Sequence, residues 1–357
     1  MLKPKLKGHY DIVPAGRDRL QARSSESVFS LSGKTIEEIF KELLPLLNGE
    51  FTVDEIVEKL DRIAEPNLVR ATLQKLEESM LIEDASSKSD AGLGPEVLER
   101  YQKQLTFFAT ATDWGTELEN QKALMEASVA IIGDGELAER LGSELLRAGI
   151  GSLRGVNLFC SEQGGPAQEG SSFRGLGISL DDMKSAEEAV IADRPRVLVL
   201  AFDRPEPALL EPLNRLSQDQ NIPLLLCQLN GTEGIVGPFI VPGQTACLLC
   251  HHLRVTRNLD FFKEYRVWEN WVKGDGHERR SGYGVLGGFA AVIAGLGSLE
   301  IIKTTSGFHE PELYGRFLTV NALTFEVLSH PLLRLPRCPG CGNSRGTATR
   351  TPWLEKR

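Results

Sequence analysis

Two identical cysteine pairs, Cys247-Leu-Leu-Cys250 and Cys338-Pro-Gly-Cys341, constrain this chain more than any other feature. Four thiolates at Cys-x-x-Cys spacing suit a closed tetrahedral metal site, with zinc the ordinary occupant. The flanks are loop-like, with Pro242-Gly-Gln before the first pair and Pro336-Arg and Gly342-Asn around the second. A closed site leaves no position for a reacting water, so the expected role of Cys247, Cys250, Cys338 and Cys341 is structural. A redox pair is the alternative. His251 and His252 stand beside Cys250 as further donors, and an ordinary surface role is expected for them. Cys160 and Cys227 follow apolar runs and read as small buried hydrophobes.

A length of 357 residues allows two or three domains. The formal charge of −9 denies the chain the broad basic footprint of a nucleic-acid binder. The basic start MLKPKLKGHYDIVPAG has no apolar run after it, and no uninterrupted apolar stretch approaches 18 residues. Neither a secretory signal nor a membrane span is expected, and the cytoplasm is the default address.

Residues 1–84 read as one unit. Short strands are expected over HYDIVPAG and over Arg23 to Leu31. Apolar residues at 36, 39, 40, 43, 44, 46 and 47 predict a helix that Asn48-Gly49 stops. Thr52-Val-Asp-Glu55 is a capping box for a second helix, and Pro66 opens a third that carries Leu68, Val69, Leu73 and Leu76. Met80-Leu-Ile82 closes the unit as a strand. The pattern is that of a winged helix. Residues 85–95, rich in Ser, Gly, Asp and Ala, form the linker.

Residues 96–357 form the second domain. A helix is expected over 96–105, then strands at 128–132, 156–159, 196–201 and 223–227 alternating with helices at 137–147 and 209–220. That alternation predicts an α/β fold, a parallel sheet with helices on both faces. The small, apolar segment 283–302 reads as a buried helix. Gly133-Asp-Gly-Glu-Leu-Ala138 joins a strand to a helix, the context of a nucleotide-binding turn. Its chemistry is poor: Asp134 and Glu136 place carboxylates where phosphate sits, and Phe159-Cys-Ser161 lacks a ribose-binding acid, Glu162 being the nearest. Gly133 and Gly135 therefore mark either a vestigial nucleotide site or a plain turn. Asp203 acts either at the carboxyl edge of the sheet or as a helix cap before Pro205. The run His277-Glu-Arg-Arg280 near Trp268 and Trp271 reads as a solvated loop.

The stretches SVAIIGDGELAERLGSELLRAGIGSL, LNRLSQDQNIPLLLCQLNGTEGIVGPFIVPGQTACLLCHHLR and CPGCG resemble the ThiF/ubiquitin-activating superfamily. More narrowly, GPFIVPGQTACLLCHHLR and YQKQLTFFATA with ENQKALMEASVAIIGDG resemble the partner subunits of azoline-forming peptide cyclodehydratases. The N-terminal unit resembles the PqqD-like element that grips precursor leader peptides in such systems. The resemblance implies a winged-helix domain followed by a Rossmann-like ThiF-type domain with a zinc site made by the four paired cysteines. Adenylating members carry a GxGGxG-type loop and a DxDxVExSN-type second strand; here these read GDGELA and VNLFCSEQGG, and Asp203 is the one matching acid.

The resemblance thus implies a subunit that is not a catalyst by itself, with ATP not expected on this chain. It would bind the leader of a ribosomally made precursor and deliver it to a YcaO-type, ATP-dependent cyclodehydratase acting on Cys, Ser or Thr. Fifteen residues follow CPGCG, so the catalyst is expected to be a separate polypeptide. The leader would add as a strand beside Arg23–Leu31, at Val28, Phe29, Ser30, Leu31, Leu68, Thr72 and Lys75. The segment 285–302 would hold the domain together and offer a face to a homodimer or partner. An ATP-dependent adenylating enzyme acting on a peptide carboxylate is the alternative. A DNA-binding regulator is disfavoured by 12 Lys plus Arg against 16 Asp plus Glu in residues 1–84.

Overall fold

The computed structural model describes residues 2–8, 10–16, 18–24, 28–33, 36–79, 81–85, 91–111, 116–157, 176–177, 183–274 and 284–342. The chain divides into two compact units, Met1–Lys122 and Ala123–Arg357. Cys160, Glu162 and the run 277–280 lie outside the described residues, as does part of the linker expected at 85–95.

In the first unit, β1 (Pro4–Leu6) pairs with β5 (Ile82–Asp84), tying the start of the chain to the end of the winged helix. A second sheet is an antiparallel meander of β2 (Asp11–Pro14), β3 (Arg19–Arg23) and β4 (Val28–Ser32), in that order. The stretch Arg23–Leu31 thus belongs to two strands, with β4 on the open edge. Alternation sends Leu20, Ala22 and Leu31 into the core, against Phe40 and Leu43 of α1 (Ile36–Leu43). That helix ends four residues before the expected Leu47. Pro45 has no N–H for the Lys41 carbonyl, so the chain tightens into a 3₁₀ turn over Leu44–Leu46. Thr52 makes the expected capping box with Glu55 at the head of α2 (Val53–Lys59). Helix α3 (Pro66–Glu78) opens on its proline and buries Val69, Leu73 and Leu76. The helix expected over 96–105 breaks at Tyr101 into α4 (Pro95–Arg100) and α5 (Gln102–Ala111), followed by α6 (Glu117–Glu126).

The second unit is built on an eight-stranded sheet. Five strands are parallel: β6 (Ser128–Asp134), β7 (Ser152–Asn157), β8 (Leu176–Gly177), β9 (Val197–Phe202) and β10 (Leu224–Asn230). The expected parallel sheet is extended by three antiparallel strands, β11 (Glu233–Ile240), β12 (Arg316–Asn321) and β13 (Val327–Pro331), giving the order β13-β12-β11-β10-β9-β6-β7-β8. Period-two alternation divides its core. Ile131, Val199 and Leu225 face α7 (Gly135–Ala148) and α12 (Gly287–Ser306), while Ile132, Leu200 and Leu226 face α9 (Pro207–Gln220), the side that also buries Val190 of α8 (Met183–Asp193). Helices α10 (Leu248–Arg257) and α11 (Phe262–Lys273) complete the unit.

Helix α12 packs on α7 through a glycine. A Cβ at Gly297 would come within 2.6 Å of Cys227 Sγ on β10 and 3.2 Å of Leu141, so the bare backbone is what lets the helix approach the sheet. Among the described residues, α12 is the one helix long and apolar enough to cross a membrane by length and composition, with mean hydropathy 1.3 over 18 residues. The segment passes on average although no apolar run in it is long, because Gly, Ser and Thr break the run without lowering the average much. Phe289, Ile293, Ala294 and Ile301 are buried in the core, as the buried-helix reading requires.

Candidate functional site

In the first unit, β4, α1 and α3 enclose an apolar groove of about 210 Å³. Leu31, Ile36, Ile39, Phe40, Leu68 and Leu76 supply most of its apolar surface, with Thr72 and Lys75 on the α3 wall. Thr72 donates its hydroxyl to the Leu68 carbonyl at 2.8 Å, so it adds little polarity to the groove. Of the seven residues expected here, the groove brings together Leu31, Leu68, Thr72 and Lys75. Val28, Phe29 and Ser30 do not line it; Phe29 turns to Tyr10, with ring centroids 5.9 Å apart.

The register explains what Val28 and Ser30 offer instead. Gly33 N–H donates to the Asp18 carbonyl at 3.0 Å, and Leu31 and Phe29 follow at two-residue steps opposite Leu20 and Ala22. In an antiparallel pair the hydrogen-bonding direction alternates, so Phe29 and Leu31 turn their backbone groups toward β3. Val28, Ser30 and Ser32 turn theirs to the open edge, beside the groove.

In the second unit the four paired cysteines converge, all four Sγ atoms lying within 4.8 Å of one another. Cys247 Sγ is 3.9 Å from Cys250 Sγ and 3.5 Å from Cys338 Sγ, and Cys250 Sγ is 3.5 Å from Cys341 Sγ. All four are free thiols. Tetrahedral bonds of ~2.3 Å to one ion would separate the sulfurs by about 3.8 Å, so the cluster has the dimensions of a metal cage. Cys247 sits at the N-terminal end of α10, and the Leu335 N–H points at Cys250 Sγ at 3.4 Å. The thiols share protons: the bond from Cys247 holds Cys250 well below the usual thiol range, while the same bond and burial push Cys247 up.

The two neighbouring histidines are not surface residues. His251 is 5% exposed and packs edge-on against Phe317 at 4.6 Å; burial pushes its imidazole down to about 3, and its Nε2 has no hydrogen-bond partner among the described residues. His252 Nε2 lies 2.8 Å from Glu269, a buried carboxylate that also takes Arg266 and Lys273. Burial opposes the charge on Glu269, but Lys273 and His252 outweigh it and hold the carboxyl below its usual range. Helix α11 is thereby pinned to α10. An isolated His-His pair in sequence gives no sign of this, because Glu269 is supplied by the next helix. Cys227 is buried as expected, and its thiol is pushed up to about 12.

The glycine turn is closed by the chain itself. Asp203 receives the N–H of Glu136 at 2.8 Å and of Leu137 at 2.9 Å, so it caps α7 rather than the helix after Pro205. Those donors, at the helix N-terminus, are the groups a nucleotide phosphate would use. Gly135 is required, with φ +75° and a Cβ position 2.1 Å from Asp203 Oδ2; a Cβ at Gly133 would strike the Ala201 carbonyl at 1.9 Å. Glu136 pairs with Arg140 beside this cap. Burial raises the Asp203 carboxyl above its usual value, against the two N–H donors and with repulsion from Glu136. An acid raised in this way contributes stability below its unfolded pKa and loses it as pH climbs through the folded value. Asp203→Asn removes that dependence. Its melting temperature should therefore gain on the parent as pH rises from about 4 toward neutrality. Parallel melting curves across that window would rule the argument out.

Comparison with known proteins places these features. Residues 5–83 match a winged helix-turn-helix domain, and residues 180–342, which carry Asp203 and all four paired cysteines, match the ThiF family. The second unit carries a ThiF-family domain. Its relatives include the protein HesA of Leptolyngbya boryana, 27% identical over 289 residues (74% of this chain, 90% of HesA). The heterocyst HesA of Trichormus variabilis is 27% identical over 283 residues, 73% of this chain and 92% of that protein. The fold is shared with the heterocyclase TruD, at TM-score 0.63 and 20% identity over 96% of this chain; the chain spans 43% of TruD. E. coli MccB solved with ATP matches at TM-score 0.62 and 15% identity, over 96% of this chain and 100% of MccB. In this ThiF domain the helix N-terminus at the glycine turn is occupied by Asp203.

Proposed function

We propose that this chain binds the leader of a ribosomally made precursor peptide and delivers it to a separate YcaO-type, ATP-dependent cyclodehydratase, which makes azoline rings from Cys, Ser or Thr. The observation that carries the reading is the open β4 edge lying directly beside an apolar groove. Backbone pairing at Val28, Ser30 and Ser32 tolerates varied leader sequences, and the groove selects an anchor. Tethering the leader keeps the attached core peptide at high local concentration near the catalyst, so one modest affinity serves several cyclisations. The fold shared with the heterocyclase TruD supports that pathway. Zinc, held by Cys247, Cys250, Cys338 and Cys341, acts structurally and locks the end of β13 to α10. The cytoplasm is the compartment in which such a precursor is made, and a homodimer through α12 suits the domain.

Fluorescence polarisation of a labelled leader, from the precursor encoded beside this gene, tests the reading. The full chain should bind it, and a chain lacking residues 1–84 should not; equal binding by both would overturn the assignment. The match over the whole of MccB, solved with ATP, favours a second reading: an adenylating enzyme acting on a peptide carboxylate. Asp203 on the helix N-terminus weighs against it. ATP–pyrophosphate exchange by the full chain is expected to stay at background, and peptide-dependent exchange would establish the second reading.

A further inference from the structure

The structure assigns to Asn214, a buried residue of α9, the positioning of the cysteine cage: its amide oxygen holds the first Cys-x-x-Cys pair, and its amide nitrogen is the hydrogen-bond donor to the Cys247 sulfur. This rests on the zinc reading of the four thiols and asks what outside them fixes their geometry. Asn214 is 2% exposed, although asparagine ordinarily stays at the surface. Its Oδ1 accepts the Leu248 N–H at 3.0 Å, at the head of α10. The first turn of a helix leaves its N–H groups without partners, and Cys247, at the N-cap, spends its side chain on the cage. A neighbouring helix thus supplies the missing acceptor.

The other end of the amide reaches the second pair. An N–H needs an oxygen to receive it, so the contact with Leu248 turns Nδ2 the opposite way. Nδ2 forms no hydrogen bond with any described residue. A Cβ at Gly340, between Cys338 and Cys341, would stand 2.5 Å from Nδ2 and 3.3 Å from Cys247 Sγ. Amide and sulfur therefore border one gap, which the glycine keeps open. On Cys250 the matching place is taken by the Leu335 N–H, 3.4 Å from Sγ. Metal-bound sulfurs are thiolates, and an N–H aimed at a thiolate makes a charge-assisted bond. Groups one step outside the ligands orient them and set the affinity for the metal.

Three variants of the full chain test the assignment, with zinc affinity read by competition against a chromophoric chelator. Asn214→Ala loses both ends of the amide, and Asn214→Asp keeps the oxygen and loses the donor; each should hold zinc about 10–100-fold more weakly than the parent. Gly340→Ala, whose methyl strikes Nδ2, should weaken zinc binding alone and add little once Asn214→Ala has cleared the space. In the cobalt(II)-loaded chain, Asn214→Asp should move the sulfur-to-cobalt charge-transfer band to longer wavelength, because a thiolate that loses an N–H donor gives up electron density more readily. A helix cap alone would leave that band in place. Zinc held equally by the parent and Asn214→Asp, with an unmoved cobalt band, would overturn the inference and leave the cage standing. A parent that binds no zinc would bring down the zinc reading itself, and this inference with it.

Discussion

A proline at position 30 is expected to weaken leader binding by about a hundredfold without unfolding the first unit. Ser30 turns its N–H away from β3, so the substitution removes no bond of the β3–β4 ladder. Proline is tolerated at an edge whose N–H faces solvent, and its ring blocks an incoming strand. The lost donor and the obstructed carbonyl beside it leave peptide groups unpaired, at about 1–3 kcal/mol each. Ser30→Ala should bind normally, since only the backbone is used. Leu31→Pro should unfold the unit, because its N–H is committed to β3 and its side chain is 7% exposed. Polarisation titrations read the affinities and circular dichroism the fold. Full binding by Ser30→Pro would mean that the leader does not add as a strand.

The largest stability effect is expected at the four thiols. On the zinc reading, elemental analysis should find one zinc per chain in the parent, and a Cys338→Ser, Cys341→Ser double variant should lose it with a sharp fall in folded yield. Structural zinc sites carry about 10–16 kcal/mol of apparent binding free energy at neutral pH, more than the total stability of an ordinary domain. Without the ion, Cys247 and Cys250 remain buried 3.9 Å apart in a cage that has lost two of its four sulfurs and the bond between α10 and the segment after β13. Elemental analysis and melting curves decide the matter: unchanged zinc and unchanged melting would show that these cysteines hold no structural metal.

Local signals make much of this architecture legible. Pro66, the Thr52–Glu55 box and the apolar runs of β6, β9 and β10 name their own elements, because capping and periodicity act within a few residues. The three antiparallel strands do not follow from the alternation of strand and helix that predicts the parallel ones. Gly231-Thr232 is nevertheless a two-residue hairpin loop between the paired Asn230 and Glu233, and Gly231 takes the φ of +62° that its first position requires. Pro45 is similarly hidden inside a helical pattern that its missing N–H cuts short. At the sites, the cysteine quartet is legible from spacing alone. The role of Asp203 is not, since its partners Glu136 and Leu137 lie more than sixty residues away and are supplied by tertiary folding. The open edge of β4 is equally invisible: whether a strand has a neighbour depends on the topology of the sheet and not on its own residues.

The glycine within α12 has a consequence for how this domain can diverge. Gly297 and Cys227 divide between them a space that admits one small side chain. The two positions therefore behave as one shared volume. An alanine at 297 is compatible with the same helix-to-sheet spacing only if position 227 shrinks to glycine or alanine, and a larger residue at 227 must keep the glycine opposite. Relatives that preserve this packing should show the two sites changing together, with one of the pair always small.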